Sequence, residues 1–159
     1  MIVIQEVLEL KQKKDICNNI LRALPDWFGI GTSIIEYTKE VQHLLFFVAY
    51  LEDVPIGFIA LKEHNTYTSE IYVMGILEQY HRLGIGTQLI QHCQSYCYKN
   101  KCLFLTVKTV DETRQNLYYT KTRNFYYSMG FRPLEVFALL WDASNPCLFM
   151  AKYIGEIEQ

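Results

Sequence analysis

The sequence predicts one mixed α/β domain, α+β in its element order, with about seven strands and about four helices. The chain has 159 residues, 50% of them hydrophobic, so it can bury one sizeable core. Its apolar residues alternate in some segments, as in strands, and recur at helical spacing in others. No internal repeat, low-complexity tract or Ser/Gly-rich linker divides it. We therefore expect a single domain over residues 1–159.

The first part of the chain predicts one strand followed by two helices. The strand is expected within residues 1–10 (MIVIQEVLEL). A helix is expected over residues 13–24 (KKDICNNILRAL), and Pro25 helps to end it. A second, shorter helix is expected over residues 32–41 (TSIIEYTKEV).

Three antiparallel strands are predicted next. They lie in two β-rich runs, residues 44–63 and 68–77, and the turn-like sequence EDVP at residues 52–55 divides the first run. Residues 86–100 then predict a helix with one buried face, because four apolar residues recur at helical spacing: Leu89, Ile90, Cys93 and Cys97.

The last third predicts a strand, a helix and two more strands. The strand is expected over residues 102–110. The helix is expected over residues 122–131, and Gly130 is a helix-terminating glycine. The final strands are expected over residues 133–141 and 147–154, separated by the turn-forming DASNP.

Composition narrows the classes of partner. The formal net charge is −2 and no run of five or six like charges occurs, so we expect no nucleic acid partner. No apolar run reaches a membrane span, and Glu6 and Glu9 follow no basic leader, so we expect no membrane partner. Five cysteines without a CxxC pair indicate reduced thiols and a cytoplasmic location.

Two glycines stand where a strand gives way to a helix, in YHRLGIGTQLI (80–90). Backbone N–H groups at a helix start lack helical partners and attract anions. Without a Cβ, Gly84 and Gly86 would let a phosphate approach the main chain, and His81 and Arg82 would add positive charge. A tight strand-to-helix turn is the alternative interpretation.

Two better-known phosphate motifs do not fit this segment. The dinucleotide fingerprint requires a third glycine, and Leu89 stands in its place. A P-loop requires Gly-Lys-Ser/Thr, which does not follow.

Two blocks resemble the GNAT superfamily of N-acetyltransferases. HRLGIG (81–86) resembles the family signature Gln/Arg-x-x-Gly-x-Gly/Ala, with His81 in the first place. FYYSMGF (125–131) resembles the family's Phe-Tyr-x-x-x-Gly-Phe segment. The family often has an asparagine several residues before that block, where this chain has Tyr119. The resemblance covers about residues 46–154.

The resemblance implies a GNAT-type fold with a central, mostly antiparallel twisted sheet. It implies an acceptor-side helical arm over about residues 11–42, an acetyl-CoA-binding core over about 44–131 and C-terminal strands over about 132–154. Acetyl-CoA is then the co-substrate, and no metal is expected. The residues expected at the pantetheine arm and the phosphates are Met74, Gly75, Ile76, His81, Arg82, Leu83, Gly84, Ile85, Gly86 and Thr87.

Transfer of an acetyl group to an amine needs a proton acceptor, a holder for the carbonyl oxygen and a proton donor for the thiolate. The resemblance implies that a backbone N–H near Gly75 or Ile76 holds the carbonyl. A glycine within a strand otherwise indicates a bulge, a close approach of another group, or packing.

Tyr126 is the candidate acid, because the resemblance places its hydroxyl near the sulfur of coenzyme A. A phenol with a pKa of about 10 stays protonated at neutral pH. Tyr126 can instead be a core aromatic residue.

Glu70 is the candidate base. Strict alternation would place it on one face of its strand with Tyr72, Met74 and Ile76. An exposed strand-end carboxylate is the alternative, and His64, expected in a nearby loop, is an alternative base.

The sequence defines the residues that would bind the acceptor amine less clearly than those expected at acetyl-CoA. Trp27, Phe28 and Tyr72 are candidate substrate-binding residues, with Asp26 and Glu36 available to attract a cationic amine. The two aromatic residues of the arm can equally pack it against the core. His92, Cys93 and Cys97 share a helix but lack the paired spacing of a structural zinc site, so buried thiols are expected.

The function predicted is acetyl transfer from acetyl-CoA to a primary amine of a small molecule. Two alternatives are a non-catalytic acyl-CoA-binding module and a protein or peptide acetyltransferase. A homodimer is also expected, with the last strand pair as its edge.

Overall fold

A computed structural model describes residues 1–29 and 31–155. Its strands are β1 (Ile2–Glu6), β2 (Leu45–Leu51), β3 (Val54–Glu63), β4 (Thr68–Ile76), β5 (Phe104–Val110), β6 (Arg132–Asp142) and β7 (Asn145–Tyr153). Its α-helices are α1 (Leu10–Arg22), α2 (Gly31–Glu40), α3 (Ile85–Lys99) and α4 (Leu117–Ser128). Short 3₁₀ turns cover Val41–His43 and Glu78–Tyr80.

The described strands form one sheet in the order β1-β2-β3-β4-β5-β7-β6. Neighbouring strands run antiparallel except β4 and β5, which run parallel. The predicted mixed fold class, with its mostly antiparallel sheet and four flanking helices, is therefore confirmed.

Helices cover both faces of this sheet. The core beneath α3 and α4 contains Ile85, Leu89 and Tyr126, and the core beneath α1 and α2 contains Ile20 and Ile34. Burying one aliphatic side chain of this size contributes about 1.5–3 kcal/mol, so the apolar helix faces are a main source of stability. No described helix is long and apolar enough to span a membrane.

The largest boundary differences from the prediction lie between β1 and α1 and at the start of α4. β1 ends at Glu6, and α1 begins at Leu10, inside the segment expected to be a strand. α4 begins five residues before the expected helix, because the Asn116 side chain caps it by accepting hydrogen bonds from the N–H groups of Tyr118 and Tyr119. The predicted terminator Gly130 is confirmed, with φ of 93°.

The side chains of β4 do not alternate strictly between the two faces of the sheet, as was expected, because the strand contains a bulge. Ile71 pairs with Leu61 and Val73 pairs with Ala60, so Tyr72 is an extra residue without a partner on β3. The extra residue reverses the faces of the strand beyond it.

Side chains of β4 therefore divide differently from the prediction. Glu70 and Tyr72 lie on the face covered by α1 and α2, where Tyr72 contacts the Tyr37 ring. Met74 and Ile76 instead pack against the core beneath α3.

Strand β6 forms one edge of the sheet and is poorly covered. Its exposed apolar side chains are Leu134, Val136, Leu139, Leu140 and Trp141. An apolar edge strand offers unpaired backbone groups to another chain.

Candidate active site

The site lies where two parallel strands separate. β4 and β5 pair only from Thr68 with Phe104 to Ile71 with Val107. Beyond that point, beside the Tyr72 bulge, the strands diverge, and a cleft of about 1430 Å³ opens between them. The outward edge of β4 there has no neighbouring strand, so its main-chain groups are open to a ligand.

The glycine turn forms one end of the cleft. Gly84 precedes α3 in the left-handed region, with φ of 79°, and a Cβ built on it would meet nothing within 4 Å. The first N–H groups of α3 lack helical partners, since the first helical bond near this turn runs from Gln88 to the Gly84 carbonyl. Gly84 therefore supplies both an unusual backbone angle and open space at a positive helix terminus.

Other residues of the turn have separate roles. The His81 Nε2 donates to the Ile76 carbonyl at 2.6 Å, which fastens the loop to the end of β4. Arg82 adopts φ of 63°, a strained conformation for a residue with a side chain. Leu83 is 64% exposed and does not line the cleft, whereas Thr87 does.

Gly86 lines the cleft and also has a packing role. A Cβ on Gly86 would lie 2.9 Å from Phe125 Cζ and 3.3 Å from Ile76 Cδ1. Contacts under 3.0 Å force a neighbour to move, so Gly86 allows α3, α4 and β4 to approach one another.

Gly75 also has a packing role. A Cβ there would lie 3.1–3.3 Å from side chains of Ile20, Leu21 and Leu24 on α1. The bulge of the strand is at Tyr72, three residues earlier. Gly75 therefore packs against α1, and it also lines the cleft.

Tyr126 lies in the cleft wall. Its ring is 5% exposed and sits between the rings of Phe125 and Phe131, at centroid distances of 5.4 and 5.6 Å. None of the described residues accepts a hydrogen bond from its hydroxyl. Burial, followed by the nearby Tyr37, raises the pKa of Tyr126, so the phenol stays protonated beyond neutral pH. Tyr126 is thus a core aromatic residue that also lines the cleft.

Glu70 is a buried carboxylate, not the exposed strand-end group of the alternative interpretation. Its side chain is 6% exposed. One oxygen lies 2.6 Å from His64 Nε2, and the other lies 3.1 Å from Lys108 Nζ. His64 precedes β4 on the hairpin from β3, and Lys108 lies on β5, so three segments meet at this carboxylate. All three residues line the cleft.

The aromatic arm forms the opposite wall. The Trp27 ring contacts the rings of His81 and Tyr118 at 5.3 and 4.8 Å. Phe28 contacts Tyr37 at 6.0 Å, and Tyr37 contacts Tyr72 at 5.4 Å. Trp27, Phe28 and Tyr72 also line the cleft, so packing and pocket formation are compatible here.

The polar residues of the arm are less engaged with the cleft. Glu36 lines the cleft, and Asp26 does not.

The Tyr72 hydroxyl on β4 is neutral at physiological pH. Burial, with Tyr37 next in effect, raises its pKa to about 12.

The candidate metal residues belong to the core. Cys93 and Cys97 are fully buried, and burial raises the pKa of the Cys97 thiol to about 12. His92 is exposed and contacts the Phe47 ring. Within residues 1–29 and 31–155, no group of three metal-ligating side chains is found.

Several cleft residues were not predicted from the sequence. Lys108, Tyr37 and Trp141 line the cleft without belonging to a recognisable motif. Lys108 reaches Glu70 across 38 residues because β4 and β5 are neighbours, which local patterns cannot show. Tyr119, at the family's asparagine position, also lines the cleft.

Comparisons with known proteins agree with this architecture. The zebrafish (Danio rerio) N-alpha-acetyltransferase 50 is 27% identical over 124 residues, which cover 70% of this chain and 71% of that protein. An aminoglycoside 6'-N-acetyltransferase crystallised with coenzyme A has a TM-score of 0.78 at 19% identity, covering 99% of each chain. The ribosomal-protein-S18-alanine N-acetyltransferase from Escherichia coli has a TM-score of 0.79 at 13% identity, covering 100% of this chain and 97% of that one.

The two structural likenesses show the fold. A family model described as "Acetyltransferase (GNAT) domain" matches residues 42–133, which include the glycine turn, Glu70 and Tyr126. Because this match spans more than half of the sequence, the chain belongs to the GNAT acetyltransferase family.

Proposed function

We propose that this acetyltransferase moves an acetyl group from acetyl-CoA to the primary amine of a small molecule in a ternary complex. The observation that carries the proposal is one cleft lined both by the N-terminus of α3 and by a buried carboxylate. The family membership supports acetyl transfer, and the relative crystallised with coenzyme A supports the donor.

The donor would bind along the open edge of β4. Its pyrophosphate would accept hydrogen bonds from the first N–H groups of α3 at Gly84–Thr87, where the helix dipole favours negative charge. The pantetheine arm would follow Met74 to Ile76. A backbone N–H of that segment would hold the thioester carbonyl oxygen, where negative charge develops during attack.

The transfer step conserves atoms and protons as follows. The ammonium first loses one proton at the Glu70 end of the cleft. The neutral nitrogen attacks the thioester carbon, and the carbon–sulfur bond breaks with its electron pair on sulfur. Tyr126 donates its hydroxyl proton to that sulfur and regains a proton from the acylated nitrogen through water. The products are the acetylated amine, the coenzyme A thiol and one released proton.

The aromatic arm supports a small acceptor. Trp27 contacts Tyr118 and Tyr37 contacts Tyr72 through ring pairs, while Phe28 packs on Tyr37 within the arm, so aromatic rings of the arm line the cleft. We assign the acceptor wall to the arm over about residues 11–42. A peptide acceptor is the second candidate, because the zebrafish relative is an N-alpha-acetyltransferase.

Calorimetric titration with acetyl-CoA tests the donor site. Gly84→Asn and Gly84→Asp form a matched pair, because both side chains tolerate the left-handed conformation and only one is charged. We expect micromolar binding by the wild type and binding about tenfold weaker for Asp than for Asn, from repulsion at the helix terminus. Equal affinities of the two variants would contradict the phosphate assignment.

Release of free thiol tests the reaction. The probes are kanamycin, spermidine, tyramine and a tetrapeptide with a free amino terminus. Turnover with a small amine supports the proposal, and turnover with the peptide alone supports the second candidate. Binding of acetyl-CoA without thiol release from any probe would favour a non-catalytic acyl-CoA-binding module.

A further inference from the structure

The contacts of Glu70 raise the question of which atom takes the proton from the amine. Both carboxylate oxygens are engaged, one by His64 at 2.6 Å and the other by Lys108 at 3.1 Å. The Glu70 side chain is also only 6% exposed. Glu70 is therefore less accessible to an amine than its partner His64, whose side chain is 38% exposed.

His64 is more exposed than Glu70 and has one ring nitrogen without a hydrogen bond to a described residue. Its side chain is 38% exposed and lines the cleft, and only its Nε2 is hydrogen-bonded. Because an ionised carboxylate only accepts, the proton of the neutral imidazole must lie on Nε2. Nδ1 therefore keeps a free lone pair and makes no hydrogen bond to any described residue.

The hairpin between β3 and β4 holds this imidazole in place. The backbone N–H of His64 donates to the Thr68 carbonyl at 3.0 Å. The Asn65 side chain accepts hydrogen bonds from the N–H groups of Tyr67 and Thr68. A ring fixed by its backbone and by a buried carboxylate loses little freedom when it meets a substrate.

We propose that His64 is the catalytic base and that Glu70 is a positioning residue, whose second oxygen is held by Lys108. This inference rests on the proposed acetyl transfer. The ammonium N–H bond breaks and the proton passes to Nδ1 of His64, leaving the lone pair on nitrogen for attack. The imidazolium keeps the hydrogen bond from Nε2 to Glu70. It then releases the proton on Nδ1 to solvent. Histidine is the side chain that most often performs such transfers near neutral pH.

Steady-state kinetics on the amine that the wild type acetylates provides the first test. We expect His64→Gln to lower kcat by at least about 100-fold, because a positioned base contributes about that much. Glu70→Gln keeps a hydrogen-bond acceptor and should cost less, on the order of tenfold. His43→Ala, an exposed histidine outside the cleft, is the control and should leave kcat unchanged.

Chemical rescue separates a base from a structural residue. Imidazole added to His64→Ala should restore kcat by about tenfold or more, because it supplies the missing nitrogen. Imidazole should not restore Glu70→Gln. A larger loss in Glu70→Gln than in His64→Gln, without rescue of His64→Ala, would overturn the assignment and make Glu70 the direct base.

The imidazole tautomer provides a readout that does not depend on activity. Long-range ¹H–¹⁵N spectra of the wild type should show His64, identified by its absence in His64→Gln, with its proton on Nε2. The Glu70→Gln variant should show a mixture of tautomers. A proton on Nδ1 in the wild type would exclude the proposed base.

Failure of this inference is distinguishable from failure of the proposed function. If the wild type and His64→Gln acetylate the amine at equal rates, only the role of His64 is refuted. If the wild type releases no thiol with any amine, the proposed function fails first and the catalytic role of His64 fails with it. Acetyl-CoA binding and thermal unfolding of each variant should match the wild type, which excludes misfolding as the cause.

Discussion

Phe125 on α4 occupies the space that a side chain on Gly86 of α3 would need, since a Cβ built there would lie 2.9 Å from the Phe125 ring. Ile76 closes the other side at 3.3 Å. One glycine thus sets the distance between two helices and the end of β4. The start of α3, where we place the phosphates, depends on that packing.

Gly86→Ala should therefore destabilise the protein. We expect the free energy of unfolding to fall by about 1 kcal/mol, because overpacking costs more than alanine gains in helix propensity. Urea denaturation measures the change. Gly31→Ala is the control, because a Cβ at Gly31 meets nothing within 4 Å and should not destabilise α2.

A second substitution checks the cause of that loss. Phe125→Leu opens space beside Gly86, so adding Gly86→Ala to it should cost less than in the wild type. Equal costs in both backgrounds would show that Phe125 is not the obstacle.

Tyr126→Phe should lower kcat by about 100-fold and leave acetyl-CoA affinity nearly unchanged, because it removes a proton donor and keeps the ring. The raised pKa of Tyr126 also determines the pH dependence expected of kcat. A raised pKa keeps the acid form present above the ordinary tyrosine value of about 10, so Tyr126 should cause no decline in kcat below that pH. A pH–rate profile with a falling limb near pH 8 that disappears in Tyr126→Phe would contradict this.

The same pKa direction predicts alkaline destabilisation. Below pH of about 10 the phenol is protonated in both folded and unfolded chains, so it adds no pH dependence. Above that pH the unfolded chain releases the proton more readily, and stability should fall until the pH passes the folded pKa. Urea denaturation between pH 9 and about 11 should show a shallower decline for Tyr126→Phe.

Phe28→Ala should weaken acceptor binding. The Phe28 ring contacts Tyr37, which contacts Tyr72 above Glu70. Because an aromatic pair contributes about 0.5–1.5 kcal/mol, we expect the KM for the amine to rise about threefold to tenfold, with little change in kcat. Phe28→Leu is the matched control, and an unchanged KM in Phe28→Ala would remove Phe28 from the acceptor wall.

The edge strand β6 is the expected site of a homodimer, and Leu139→Lys tests it. Leu139 is 77% exposed, and a charge there should disfavour pairing with a second copy. Light scattering should report a dimer for the wild type and a monomer for Leu139→Lys. Leu8→Lys is the control, because Leu8 is also 77% exposed and lies outside β6. A monomeric wild type would contradict the predicted dimer.

The sequence predicted the order of the elements because each has a local pattern. The turn between β2 and β3 illustrates this, since Glu52 and Asp53 adopt positive φ where EDVP indicated a turn. Boundaries were less predictable where polar contacts decide them. α4 begins where Asn116 caps it, and its tyrosines and threonines give too weak an apolar face to show that start.

The sequence identified single residues of the site through their motifs, but it did not show which of them contact one another. Gly84, Glu70 and Tyr126 were identified, and all line the cleft. The engagement of Glu70 by His64 and Lys108 follows from strand pairing across 38 residues, which the spacing of residues along one strand does not encode. The function of Gly86 depends on Phe125, a residue of another helix.

The extra residue at Tyr72 shows how chain length, independently of residue type, controls which way a strand points its side chains. Without it, Gly75 would exchange faces with its bulky neighbours, and Met74 or Ile76 would meet α1, where only a glycine fits. Deleting this one residue would therefore be far more damaging than substituting it.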